Sequence, residues 1–202
     1  YIIFGFLSLF TVATLTSGLV NAPLTKGISS AIYKDANMVA TNYLPEYFSG
    51  QTSLNNVHMQ LSGMEQHLNA AIWFVDSDGT MITSAQSDDF PSAPYNVVDF
   101  NPAESGNEQY QIGDYHGYFN EDVITVIAPV IYDYSPKGYL LIHKSTDDIY
   151  ELHDILMHSA YITLCVIFIL SFVILLAFQF FVYRPLSKIT EAAKQYASGN
   201  LE

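Results

Sequence analysis

Two apolar runs bracket a polar, alternating middle. Tyr1 to Val20 contains no charged residue, and a helix of that length, rising about 1.5 Å per residue, covers the roughly 30 Å core of a bilayer. Ile155 to Tyr183 is equally free of formal charge. These runs predict transmembrane helices over 1–20 and 155–183, with a domain over 21–154 between them. A cleaved signal peptide is the competing reading of the first run, disfavoured by its length and by the lack of a basic segment ahead of it.

Inside the middle, Ile28, Ile32, Ala36, Val39 and Tyr43 recur at near-helical spacing, so the first helix is expected to continue outward as far as Pro45. Leu54, Val57, Leu61, Met64 and Leu68 make a second amphipathic helix whose stripe packs on a sheet. The period then changes to two. Ala71–Asp76, a turn at Ser77-Asp78-Gly79 and Thr80–Ser84 read as a hairpin. Asp76 and Asp78 are read as turn residues, because the other spaced ligands and closing Glu of a calcium loop are missing. Residues 85–108 hold Pro91, Pro94, Pro102 and Gly106, which break both periods and predict a long connection of the kind that often carries function. Strands are expected again at 109–112, 115–119, 123–132 and 138–144, with a turn from Asp133 to Gly138. Ser145-Thr-Asp-Asp148 reads as the cap of a helix that runs without a breaker into the second span. The predicted class is α+β: an antiparallel sheet of about five strands with long N-terminal helices, flanked by two membrane helices and a short terminal helix.

Charge fixes the orientation and removes some partners. Arg184, Lys188 and Lys194 follow the second span, whereas Asp147, Asp148, Glu151 and Asp154 precede it, which places the C-terminus in the cytoplasm. Over 202 residues, seven Lys and Arg against 20 Asp and Glu give a net charge of −13, a field that repels nucleic acid. Half the residues are hydrophobic and 13% are charged, as suits a membrane chain. The single cysteine, Cys165, lies in an apolar run and excludes a disulfide framework. Starting at Tyr1 without a methionine and stopping at Glu202, the sequence reads as a piece of a longer one.

Three segments together resemble a bacterial transmembrane sensor of the histidine-kinase type with an extracytoplasmic PAS-like, single Cache domain. Ala71-Ile-Trp-Phe-Val-Asp-Ser-Asp-Gly79 is similar to the opening hairpin of such domains. Asp122–Ile131 followed by Lys137–His143 is similar to their closing strand pair. Arg184-Pro-Leu-Ser-Lys-Ile-Thr-Glu-Ala-Ala-Lys-Gln-Tyr-Ala-Ser-Gly-Asn-Leu201 resembles the start of a HAMP linker, truncated here. Read from the residues alone, Pro185 suits the first turn of a new helix. Leu186, Ile189, Ala193 and Tyr196 follow coiled-coil spacing, and Gly199 can cap the helix. Such a seam needs a partner helix, so a homodimer is expected, and Arg184, Pro185, Leu186, Ile189, Ala193, Tyr196 and Gly199 are the candidate signal relay. The resemblance implies a two-component receptor whose kinase, acting on a response regulator, lies beyond residue 202. The same layout serves a chemoreceptor, and a membrane-anchored binding or adhesion module is the alternative from another class.

No catalytic motif, cofactor motif or metal-ligand spacing stands out. His58, His67, His116, His143, His153 and His158 form no His-x-x-x-His pair, and His143, alternating with Tyr139 and Leu141, is expected to be a hydrogen-bonded sheet residue. The domain between the spans has 18 acids, four lysines and no arginine, so a bidentate carboxylate clamp is not available. Neutral or cationic small ligands are therefore expected, with a divalent cation or cationic peptide on the acidic surface as further possibilities. Gly113-Asp-Tyr-His-Gly-Tyr-Phe119 combines aromatic faces with a carboxylate. Asp114, Tyr115, His116 and Tyr118 are the candidate ligand-binding residues, in a pocket beside 115–119 and under the 85–108 loop.

Overall fold

The alternating runs assemble into one antiparallel sheet. A computed structural model describes residues 2–103 and 110–197, with side chains of the first helix described mainly from residue 23 onward. Its strands are β1 (Ala71–Asp76), β2 (Met81–Ala85), β3 (Tyr110–Gly113), β4 (Val123–Tyr132) and β5 (Ser135–Ser145), in the spatial order β2-β1-β5-β4-β3. Helices α1 (Ile2–Asn42), α2 (Leu44–Phe48) and α3 (Leu54–Leu68) precede the sheet, and α4 (Asp147–Phe178) and α5 (Arg184–Ala197) follow it. The fold class is α+β, as the patterning predicts.

Two compact units divide the chain, one spanning Val20–His153 and the other taking in its two ends. In the first, the three central strands are buried on both faces. Ile72 and Phe74, Leu140 and Ile142, and Ile124, Val126 and Ala128 form a core with Ile32, Ala36, Ala40 and Leu44 and with Val57 and Leu61 of α3. The buried stripe of α1 thus rotates onto Ala40 and Leu44, leaving Tyr43 exposed. The chain breaks at Tyr43, and Pro45 falls in the first turn of α2, where its missing N–H costs no helical bond. Ser53 caps α3 by accepting from the Asn56 N–H at 3.3 Å, and Asn69 ends the helix in the left-handed conformation.

The other sheet face belongs to loops. Ala71, Trp73, Val75, Leu141 and Ile127 point to it and are covered by Val97, Phe90 and Phe100 from the long connection and by Tyr115 and Phe119. The expected strand at 115–119 is instead a tight turn after Gly113, with Tyr115 and His116 both left-handed at φ 42° and 58°. Its alternating rings belong to a plug that folds back over Trp73. The last hairpin is also tighter than expected. Asp133 and Tyr134 have φ of 51° and 60°, and Tyr132 pairs directly with Ser135. This is a two-residue turn that leaves Lys137 and Gly138 inside β5. At the first hairpin, Asp76 Oδ1 accepts from the N–H groups of Asp78 and Thr80, each at 2.9 Å, so its carboxylate organises the turn.

The helical stretch Ile149–Gln195 contains a window of mean hydropathy 2.9, none of it buried, and is long and apolar enough to cross a membrane. Between α4 and α5 the ladder slips into a π-turn over Gln179–Tyr183, where Arg184 N–H donates to the Gln179 carbonyl. Pro185 lies immediately after that bond and has no N–H to give, which accounts for the slip. Pro185 therefore modifies a helix that continues, where a new start was expected. Leu186, Ile189 and Ala193 are exposed on α5. The Tyr196 side chain, Gly199, Glu104, Glu108, Gln109 and most side chains of the 1–20 run lie outside the described residues.

Candidate functional site

Trp73 stands at the centre of the loop-covered face. On β1 it shares a face with Ala71 and Val75 and alternates with Ile72 and Phe74, which turns its indole away from the helices and under the plug. Four rings surround it: His143 with centroids 4.3 Å apart, Phe119 stacked at 5.6 Å, Tyr118 edge-on at 5.7 Å and Tyr115 at 6.0 Å. His143 in turn lies 4.6 Å from Tyr115 and 4.9 Å from Phe119.

Two polar atoms in this aromatic layer have no hydrogen-bond partner among the described residues: Trp73 Nε1 and His143 Nε2. Both residues are fully buried. An unmade bond of this kind costs about 1–3 kcal/mol. His143 Nδ1 is 2.8 Å from Thr125 Oγ1, its cross-strand neighbour. With the hydroxyl donating to Nδ1, the neutral ring bears its proton on Nε2 and becomes a second donor; in the reverse tautomer Nε2 is an acceptor. Burial pushes the His143 pKa from 6.5 down to about 3, so the ring is neutral at physiological pH. The expected hydrogen-bonded sheet histidine is present, and half of it is unpaired.

Two clefts share residues with this layer. One, of about 300 Å³, is lined by Gln111, Ile112, Gly113, Asp114, Tyr115, His116 and Thr125. Another, of about 370 Å³, is lined by residues that include Asp89, Phe90, Pro91, Phe119 and Glu121. Tyr115 and Phe119 each belong both to the aromatic layer and to one cleft. Three of the four candidate residues, Asp114, Tyr115 and His116, thus share the first cleft. Tyr118 does not. Its hydroxyl accepts from Val98 N–H at 3.0 Å and donates to the Asn96 carbonyl at 3.2 Å, which ties the plug to the long connection.

Asp114 lines one cleft and Asp89 and Glu121 line the other, and neither is lined by Lys or Arg. Lys144 donates to the Leu68 carbonyl at 2.7 Å. Trp73 and His143 lie beneath the plug and line neither cleft. Trp73, Thr125 and Phe119 were not among the four candidate residues read from the sequence. The available signal was the sole tryptophan of the chain, set in the continuous apolar run Ala71–Val75.

Beyond the plug, Thr146 joins the sheet to α4. Its Oγ1 donates to the Asp122 carbonyl at 2.8 Å and its N–H reaches the same oxygen at 3.1 Å, while Tyr150 N–H donates to the Thr146 carbonyl. The loop that forms the second cleft is therefore hydrogen-bonded to the first turn of the helix leading to the apolar span.

No family model matches the chain, and no curated protein is similar to it in sequence. Solved structures are similar in fold. A domain of a sensory box/GGDEF family protein from Vibrio parahaemolyticus superposes with a TM-score of 0.52 at 13% identity, over 71% of this chain and 64% of that one. The sensor domain of the histidine kinase DctB from V. cholerae gives 0.45 at 12%, over 69% and 58%. The sensory domain of the Campylobacter jejuni chemoreceptor Tlp3, with isoleucine bound, gives 0.45 at 17%, over 74% and 66%. The chain thus covers less than two thirds of each of these solved chains. The five-stranded antiparallel sheet with its helices shares its fold with the Vibrio parahaemolyticus domain.

Proposed function

We propose that this chain is the receiving part of a bacterial transmembrane receptor. The domain over 21–154 lies outside the cell membrane and binds a small neutral or cationic molecule, such as an amine, an amino acid or a polar neutral compound. The spans over 1–20 and 155–183 anchor it, and the cytoplasmic helix from Arg184 passes the signal on as part of a HAMP linker. In this reading the receptor is a homodimer, its helices paired along Leu186, Ile189, Ala193 and Tyr196. The output beyond residue 202 is a histidine kinase acting on a response regulator, although the same layout would serve a chemoreceptor.

The observation that carries the reading is the loop-covered face, where two buried ring nitrogens without partners among the described residues lie among aromatic rings, two of which, Tyr115 and Phe119, each line an acid-containing cleft. A ligand acceptor reaching Trp73 Nε1 recovers a cost the folded protein otherwise bears. Binding that moves Phe119 or the 119–122 loop is transmitted to α4 through Asp122 and Thr146. Such a relay requires the ligand to bind two arrangements differently, and couplings of this size are typically about 1–3 kcal/mol.

Thermal-shift screening of the chain in mild detergent, against amino acids, amines, dicarboxylates and divalent ions, tests the ligand class. Stabilisation by an amino acid or amine, reduced by alanine at Asp114 or Tyr115, is the expected result. Strong stabilisation by a dicarboxylate in chelator-treated buffer, indifferent to those substitutions, overturns both the class and the place.

A further inference from the structure

The π-turn after the apolar span opens a cleft of about 620 Å³ along one helix face, lined by Gln179, Phe180, Tyr183, Arg184, Ser187 and Lys188, with Pro185 at its edge. Its polar lining residues all carry donors: an amide, a phenol, a guanidinium, a hydroxyl and an ammonium. None of the lining residues is acidic. A π-turn advances one residue further per turn than an α-turn, which brings residue 184 above residues 179 and 180. The Arg184 guanidinium accordingly sits 4.3 Å over the Phe180 ring, an arrangement that fixes the head while leaving its edge N–H groups unspent. Lys188 follows four residues on, along the same face. Glu191 lies a turn beyond Lys188 and does not line the cleft.

We propose that this cleft holds the phosphate of an anionic phospholipid from the leaflet at the C-terminal end of the span. The inference rests on the membrane reading of Ile155–Tyr183. A free phosphate and a lipid headgroup share the chemistry of the site. The lipid is the source argued for because the cleft begins at the last residues of the apolar run, with Phe180 beside the cations to meet acyl chains. Two cations converge on one oxyanion, Arg184 by a planar fork and Lys188 as a point charge. Bound lipid would pin the start of α5 to the bilayer surface, at the point where the ladder is already loosened.

The test uses the whole chain, delipidated in a neutral detergent and titrated with phosphatidylglycerol or phosphatidylcholine, with bound lipid counted by native mass spectrometry. Saturable binding of one phosphatidylglycerol per chain is expected, at least tenfold tighter than phosphatidylcholine. Arg184→Gln and Lys188→Gln should each weaken it about fivefold, since a basic residue at an anionic surface contributes on that order. Lys194→Gln, outside the cleft, should leave it unchanged. Equal affinity for the two lipids overturns the proposal, as does an equal loss with Lys194→Gln. Displacement by inorganic phosphate at millimolar concentration would replace the lipid with a soluble anion as ligand. Alkaline extraction of membranes carrying the chain tests the underlying reading separately. Release of the chain would refute the span, and retention with no lipid preference would refute the site alone.

Discussion

His143 illustrates how one buried ring ties stability to pH. Its charged form loses hydration without gaining a partner, so its pKa is about 3 when folded against 6.5 when the chain is unfolded. The unfolded chain therefore binds the extra proton first as pH falls. Stability from this group is fully present above pH 6.5 and drops by about 1 kcal/mol per pH unit from there down towards pH 3. Urea unfolding of the chain in detergent at pH 7, 6 and 5 should show this slope, and His143→Gln should flatten it. An unchanged slope in the variant would mean that other groups set the acid limb. The alternation with Tyr139 and Leu141 places His143 on a sheet face in the sequence. Its missing partner at Nε2 is not legible there, because it depends on Trp73 and Phe119 arriving from other segments.

Elements were legible where period and punctuation agree. The stripe from Leu54 to Leu68 forms α3 over those same bounds, and Ala71–Asp76 forms β1. Residues 115–119 defeat pattern reading, because alternating aromatic residues look like a strand while Gly113 and Gly117 permit a turn. Only the packing of Tyr115 and Phe119 on Trp73 decides between the two. The turn after β4 was placed correctly but drawn too long, since Pro136 and Gly138 read as turn residues and in fact lie within β5. Gly138 has a packing reason. A Cβ there would fall 2.5 Å from the Val75 carbonyl oxygen and 3.1 Å from the Phe74 ring. Gly138→Ala should cost about 1–3 kcal/mol through this overpacking. Gly63→Ala, on α3 with open space around it, should gain about 0.5–1 kcal/mol. Chemical denaturation of both variants measures the contrast, and equal effects would contradict the close approach of β1 and β5.

At the scale of the whole molecule, the long apolar helix within Ile149–Gln195 was legible from residue types alone, because an uncharged run of that length stands apart from the acid-rich residues before it. The candidate site was legible only in part. Asp114, Tyr115 and His116 stand out as a local cluster, whereas the pair Trp73 and His143, each with a ring nitrogen lacking a partner among the described residues, is assembled from β1 and β5, seventy residues apart in sequence. That pair also supplies the readout, since Trp73 is the sole tryptophan of the chain. The central claim is that a small ligand binds on the loop-covered face against it. Titrating the chain in detergent with each member of a panel of neutral amino acids and amines, while recording Trp73 emission, tests this most directly. A saturable shift in emission with at least one such ligand, abolished by Tyr115→Ala and by His143→Phe in variants that still unfold cooperatively, is the predicted result. Ligands that stabilise the protein while leaving Trp73 emission unmoved would place binding elsewhere and contradict the account.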